Sequence, residues 1–218
     1  MTKTLTKVDP SPLTPLAKRL AAWIIPHLPE WLTPNMVTIT GCCVLVVAAF
    51  SFYLASFAKI WLLVAALCVF LHWVTDNLDG ELARARQLVS ERGFFLDLLC
   101  DNLGAISLGT GFYFASYIFT PLVVATVIIF LMELNLSLFH IILRQRFPLG
   151  RVGPAEGRAF LIILSLLTFF WNGSVVTIGG RPCGWFDIAL MVLVPIGILE
   201  WLVTAVKLYH ELTPARRT

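Results

Sequence analysis

Apolar positions in this chain neither alternate nor recur on one narrow face; they come in long runs parted by short polar stretches. Six runs approach the ~18–20 residues a helix needs to cross a bilayer, near 36–57, 58–79, 94–117, 119–143, 159–178 and 185–208. Backbone groups in lipid find no water to bond, so each run predicts a helix. The first two meet at Phe57–Ala58–Lys59 and predict a helical hairpin, and the second ends in an acid-rich stretch. The expected fold class is an all-α integral membrane protein, a six-transmembrane-helix bundle with an N-terminal interfacial amphipathic helix.

That preceding helix is expected over Leu16 to Ile25, where Lys18, Arg19 and Trp23 accompany an apolar face. Such a pattern suits a helix lying on a membrane surface; a short solvated helix capping the bundle is the plainer alternative. Residues up to Pro34 are too polar and proline-broken for the apolar core of a signal peptide, and none is expected. The layout is then a cytoplasmic N-terminus over 1–35, a six-helix membrane domain over 36–210 and a cytoplasmic tail over 211–218.

Composition agrees and narrows the class. Hydrophobic residues make up 58% of the 218 and charged ones 13%, with a mean hydropathy of +0.85, whereas a soluble domain carries about a quarter charged residues. With the N-terminus inside, only Lys59 and Arg181 of the sixteen Lys and Arg fall outside, which predicts cytoplasmic termini. A net charge of +3 then means attraction to headgroups and phosphates on one face, not binding of nucleic acid. Cys42, Cys43, Cys68 and Cys100 lie inside runs without metal-ligand spacing and read as small core residues; Cys183 stands in an outer loop with no evident partner.

The chemistry concentrates between the second and third runs: Asp76–Asn77–Leu78–Asp79–Gly80–Glu81–Leu82–Ala83–Arg84, eight residues, then Gly93–Phe94–Phe95–Leu96–Asp97–Leu98–Leu99–Cys100–Asp101. Asp76 and Asp79 are i and i+3, Asp97 and Asp101 i and i+4, so each pair shares a helix face. A short turn between the helices is expected to bring the two faces together. Each carboxylate costs about 2.5–3.5 kcal/mol at mid-bilayer, on the order of 10 kcal/mol for four, and their mutual repulsion opposes ionisation. Divalent cations in a wet cleft offset both costs, and an all-oxygen ligand set suits Mg²⁺ or Mn²⁺. Two ions sharing four aspartates is the arrangement that clamps attacking and leaving oxygens in phosphoryl transfer. Gly80, Ala83 and Gly93 leave helix faces without bulk, where a nucleotide or pyrophosphate can approach the backbone, and Arg84 offers a permanently charged fork to a phosphate.

These residues resemble the signature of the CDP-alcohol phosphotransferase family, Asp-x2-Asp-Gly-x2-Ala-Arg-x8-Gly-x3-Asp-x3-Asp, matched at all its fixed positions. The resemblance implies a fold of six membrane helices behind an interfacial helix. It implies phospholipid synthesis by transfer of a phospho-alcohol or phosphatidyl group from a CDP-linked donor to an alcohol, with release of CMP. Carried over, Asp76, Asp79, Asp97 and Asp101 hold two divalent cations, and Asp101 is also the general base. Gly80, Ala83, Arg84 and Gly93, with the aspartates, line the CDP site. Pro34–Asn35–Met36–Val37–Thr38 is similar to the Pro-Asn-x-x-Thr that opens many members; Asn35 reads either as the cap of the first span or as a nucleotide contact. The implied partners are a CDP-linked donor and an alcohol acceptor, one of them a lipid, and a second copy of the chain in a homodimer. The implied location is a bacterial cytoplasmic membrane with the site on the cytoplasmic side.

Weaker signals bear on the substrate. Gly153–Pro154–Ala155–Glu156 resembles the Gly-Pro-Thr-Glu of the choline and ethanolamine branch, with Ala for Thr, and Cys100–Asp101 is similar to the Cys-Asp of that branch. They tilt the expectation to a CDP-choline- or CDP-ethanolamine-like donor and a lipid acceptor, although Glu156 at a helix start also satisfies the macrodipole. The alternative is CDP-diacylglycerol with a glycerol phosphate, serine or inositol-type acceptor, for which Arg144, Arg151 or Arg158 would hold a headgroup or acceptor phosphate. Arg146 shares that basic stretch, which positive-inside orientation already accounts for. Glu133 and His140 share a helix face, with His72 and Glu200 more isolated. Intramembrane acids also build cation pathways, so an ion transporter is the reading from another class. Gly104, Ala105, Ser107, Gly109 and Gly111 form a small-residue surface for close helix packing, inside the bundle or across a dimer.

Overall fold

Helices form almost everywhere the apolar runs predicted them. The computed structural model describes residues 14–144, 154–171 and 173–212. After α1 (Thr14–Ile24) and a 3-10 turn at Ile25–His27 come α2 (Pro34–Leu54), α3 (Ile60–Ala85), α4 (Glu91–Phe114), α5 (Thr120–Arg144), α6 (Pro154–Phe170) and α7 (Trp185–Glu211). Two three-residue strands, β1 (Val176–Ile178) and β2 (Arg181–Cys183), pair antiparallel with Thr177 opposite Pro182. They correct the fifth run, which was expected to stay helical to residue 178: its helix stops at Phe170. The Gly179–Gly180 turn between the strands has φ of 58° and 79°, a backbone state glycine enters without a Cβ clash.

Among the described residues four helices, α2, α3, α5 and α7, are long and apolar enough to cross a membrane. Inside the protein α5 and α7 bury only 11% and 6% of their most apolar windows, so their side chains need an apolar surrounding. Together these features describe an integral membrane helical bundle. By length and composition α4 and α6 fall short of the six expected: α4 carries Glu91, Arg92, Asp97 and Asp101, and α6 has 17 residues.

α2 organises the packing. It lies along both α3 and α4, which have no extended packing on each other. The acidic faces of α3 and α4 meet as expected, and they do so across a cleft that α2 also lines. Glycines allow that approach. A Cβ on Gly41 would stand 2.6 Å from Thr75 Oγ1 of α3, one on Gly104 would stand 2.5 Å from Leu45 Cδ1, and one on Gly111 would run into the Ala49 carbonyl. Gly109 faces Val127 of α5 in the same way. These three α4 glycines pack inside the bundle.

Beyond this trio, α6 packs on α3, α5 joins α4 to α7, and α6 touches α7. α1 lies against α3 with Ala17 and Ala21 buried, while Leu16 and Trp23 are exposed. Arg86 ties the following turn down, its Nη1 donating to Glu30 O at 3.2 Å and Leu32 O at 2.5 Å, and its Nη2 to Leu28 O and Pro29 O at 3.2 and 3.1 Å. A residue read only as a topological charge thus fixes where α1 enters α2.

The main core occupies the end of the bundle nearest the hairpin: Phe52, Leu62, Ala65, Val69, Ile118, Leu164 and Phe186. A smaller apolar cluster, Ala21, Val37, Leu78 and Leu82, seals α1 to α2 and α3 near the aspartates.

Candidate functional site

Helix α3 runs unbroken to Ala85, so Asp76, Asp79, Gly80, Ala83 and Arg84 all stand on one rigid element. Helix α4 starts at Ser90, whose hydroxyl accepts from Gly93 N at 3.1 Å, and this cap sets the register of Asp97 and Asp101. Across the cleft the two helices bring Asp76, Asp97 and Asp101 together, with one ligand oxygen from each within 4.8 Å of the others. All three are half-buried. Three carboxylates converging at this range repel one another, and their oxygen-only donor set fits a hard divalent cation. The observed cluster thus fits the expected metal.

Asp79 stands apart from the trio. It is 7% exposed; Oδ2 accepts from Thr38 Oγ1 at 2.5 Å, and Oδ1 from Gly80 N at 2.6 Å. Both oxygens retain acceptor capacity beside these bonds, and Asp79 still lines the same cleft as the trio. Thr38, Gly41, Cys42, His72 and Cys100 complete that lining.

Asn35 is not the helix cap. Thr33 holds that position, its Oγ1 accepting from Met36 N at 3.3 Å, because Pro34 at the first helical position places the cap one residue earlier. Asn35 is thereby left exposed, its Oδ1 3.5 Å from where a Gly93 Cβ would stand. The absence of that Cβ keeps the gap between Asn35 and α4 open. On the facing helix Arg84 forms an ion pair with Glu81 at 2.9 Å, its guanidinium lying over Gly80 with 61% of its side chain exposed.

Arg158, read as a headgroup candidate, reaches from α6 to α3 instead: Nη1 donates to Asp76 Oδ2 at 2.7 Å. Glu156 sits in the first turn of α6. Arg144 pairs with Glu211 of α7 at 3.6 Å, and Arg146 and Arg151 lie outside the described residues. His140 Nε2 is buried without a hydrogen-bond partner among the described residues. Neither Glu133 nor His140 lines the aspartate cleft.

None of the lining residues Thr38, Gly41, Cys42, His72 and Cys100 was a site candidate from sequence, and two of them had a signal. Thr38 had a signal in the Pro-Asn-x-x-Thr motif. His72 stands one turn before Asp76 and is 6% exposed, with Nδ1 unpartnered among the described residues; its spacing from Asp76 was the available signal.

Comparison with known proteins bears on the fold and the family. Rat (Rattus norvegicus) cholinephosphotransferase 1 is 24% identical over 200 residues, covering 87% of this chain and 49% of that protein. Archaetidylinositol phosphate synthase of Pyrococcus horikoshii is 38% identical over 109 residues, 48% of this chain and 50% of that one. The chain spans about half the length of these curated relatives. Among solved structures, the phosphatidylinositol phosphate synthase of Mycobacterium tuberculosis with CDP-DAG bound superposes with a TM-score of 0.62 at 21% identity, over 89% of this chain and 92% of that one. The same protein in complex with manganese and citrate gives 0.58 at 22% identity, over 88% and 87%. These structural likenesses establish a shared fold. The family description CDP-alcohol phosphatidyltransferase matches residues 31–206, a span that includes α2 through most of α7 and every signature position, and the chain belongs to that family.

Proposed function

We propose that this chain is a metal-dependent CDP-alcohol phosphotransferase of phospholipid synthesis. The observation that carries the reading is the convergence of Asp76, Asp97 and Asp101 from two helices onto one cleft, within a complete family signature. Asp76, Asp79, Asp97 and Asp101 would hold two divalent cations, Mg²⁺ or Mn²⁺, which when bound supply positive charge against the donor's pyrophosphate. Gly80, Ala83 and Gly93 leave room for the cytidine diphosphate between α3 and α4, with Asn35 and Arg84 at its edge. Asp101 accepts the proton of the acceptor hydroxyl as that oxygen bonds to the donor's β-phosphorus and the bond to CMP breaks. Positioning and electrostatics supply most of the acceleration.

The preferred substrates are a polar CDP-alcohol of the choline or ethanolamine kind and a lipid alcohol. The long match to cholinephosphotransferase and Glu156 in the first turn of α6 support this. A second reading is a CDP-lipid donor with a polar acceptor, as the fold shared with the phosphatidylinositol phosphate synthase solved with CDP-DAG bound suggests. Here Glu156, Arg144, Arg151 or Arg158 would meet the headgroup or acceptor. In either case α4 and α6 complete six spans in a bacterial cytoplasmic membrane, with cytoplasmic termini, a cytoplasmic-side cleft and a homodimeric assembly. The test is CMP release by the purified protein from a panel of CDP-donors and alcohols, with Mg²⁺ or Mn²⁺ and with chelator. Metal-dependent CMP release supports the reaction; ion flux without CMP would instead indicate a transporter.

A further inference from the structure

The Arg158–Asp76 pair joins α6 to the same carboxylate that contributes to the acidic trio. Its Nη1–Oδ2 distance is 2.7 Å, and the two side chains are only 14% and 25% exposed. An arginine does not lose its proton at any accessible pH, so this positive charge is permanent. A half-dry setting strengthens its hold on Asp76. A divalent ion bound through Asp76, Asp97 and Asp101 would stand within a few ångströms of that guanidinium, and the two cations repel. Behind them the buried His72 supplies no negative charge to relieve the conflict.

We infer that Arg158 is a built-in counter-ion competing with the divalent cation for Asp76, so that metal loading frees the α6 guanidinium to meet a phosphate. The inference rests on the metal reading above. It makes Arg158 a positioning residue whose place depends on the metal: on Asp76 without the ion, facing an anionic substrate group with it. The competition must act both ways, since each cation weakens the other's hold by the same factor.

The test is Mn²⁺ binding to the full chain in detergent or nanodiscs without substrate, followed by electron paramagnetic resonance. Arg158→Gln and Arg158→Met should each bind Mn²⁺ about tenfold more tightly than the unaltered protein, within the usual range of site-to-site coupling, while Arg158→Lys should stay close to it. A purely structural arginine predicts unchanged or weaker binding in the Gln and Met variants, and either result overturns the inference. The unaltered protein provides a measurement free of folding effects: phenylglyoxal labelling of Arg158, read by peptide mass, should rise several-fold on adding Mn²⁺. Labelling that stays level or falls overturns the inference as well. Asp97→Asn separates the two levels. If it binds Mn²⁺ as well as the unaltered chain, the metal reading fails and the inference with it; if Asp97→Asn loses Mn²⁺ while Arg158→Gln matches wild type, only the inference fails.

Discussion

Both ends of the bundle draw aspartates at least half out of solvent, and they treat them differently. Near the hairpin, Asp187 is 1% exposed, with Oδ1 accepting from Phe119 N at 2.6 Å and Oδ2 from Gly184 N at 3.0 Å. Around it Tyr117 donates to Phe52 O at 3.1 Å, Arg181 lies 4.1 Å from the centre of the Phe119 ring, and Lys59 Nζ donates to Trp171 O at 2.7 Å. That acid is satisfied by backbone donors from two segments and serves to join the α4–α5 turn to the start of α7. At the other end Asp76, Asp97 and Asp101 face one another. A buried acid aimed at N–H groups stabilises a fold, whereas acids aimed at acids call for a cation. The two ends differ in what the carboxylates face, and the trio is also the less buried.

The sharpest way to break this contrast is to remove one charge at each end. Asp101→Asn should lower CMP release by about 10²–10⁴-fold, the usual contribution of a positioned base, with little change in melting temperature; retained turnover would remove Asp101 from that role. Asp187→Ala should do the reverse. Two buried N–H groups lose their acceptor, at about 1–3 kcal/mol each, so thermal unfolding in detergent should shift down markedly while Mn²⁺ affinity stays within twofold of wild type, on the order expected for distant, independent sites.

Smaller effects test how α2 holds the cleft open. Gly111→Ala forces a methyl group onto the Ala49 carbonyl and should cost about 1–3 kcal/mol, the range for overpacking, measured as a lower unfolding temperature. If it is neutral, α2 and α4 are less tightly joined than described. Thr38→Val removes the hydrogen bond to Asp79 and nothing of comparable size. It should cost about 1 kcal/mol, seen as roughly a fivefold weaker metal activation with an unchanged maximal rate at saturating metal.

Legibility from sequence differed between fold and site for physical reasons. Helices α2, α5 and α7 and the apolar part of α3 follow from long apolar runs, because lipid leaves a backbone no other way to bond within its own segment. The end of α6 was misjudged because Val175, Val176 and Ile178 are apolar wherever they lie, and only pairing with 181–183 shows them to be a hairpin. Asn35 was misjudged as a possible cap because Thr33 and Asn35 are both good caps by type, and Pro34 decides between them through backbone geometry.

By itself the sequence determined the family signature and the acidic residues, because Asp76, Asp79, Asp97 and Asp101 stand at helical spacing whatever surrounds them. It also contained the α4 glycines, without saying what they face. Only the tertiary structure decided that α2 packs along both α3 and α4 and lines their cleft, that Asp79 turns to Thr38, and that Arg158 reaches Asp76 from 82 positions away. Those are long-range contacts between helices, and they depend on how side chains fit together rather than on any local pattern.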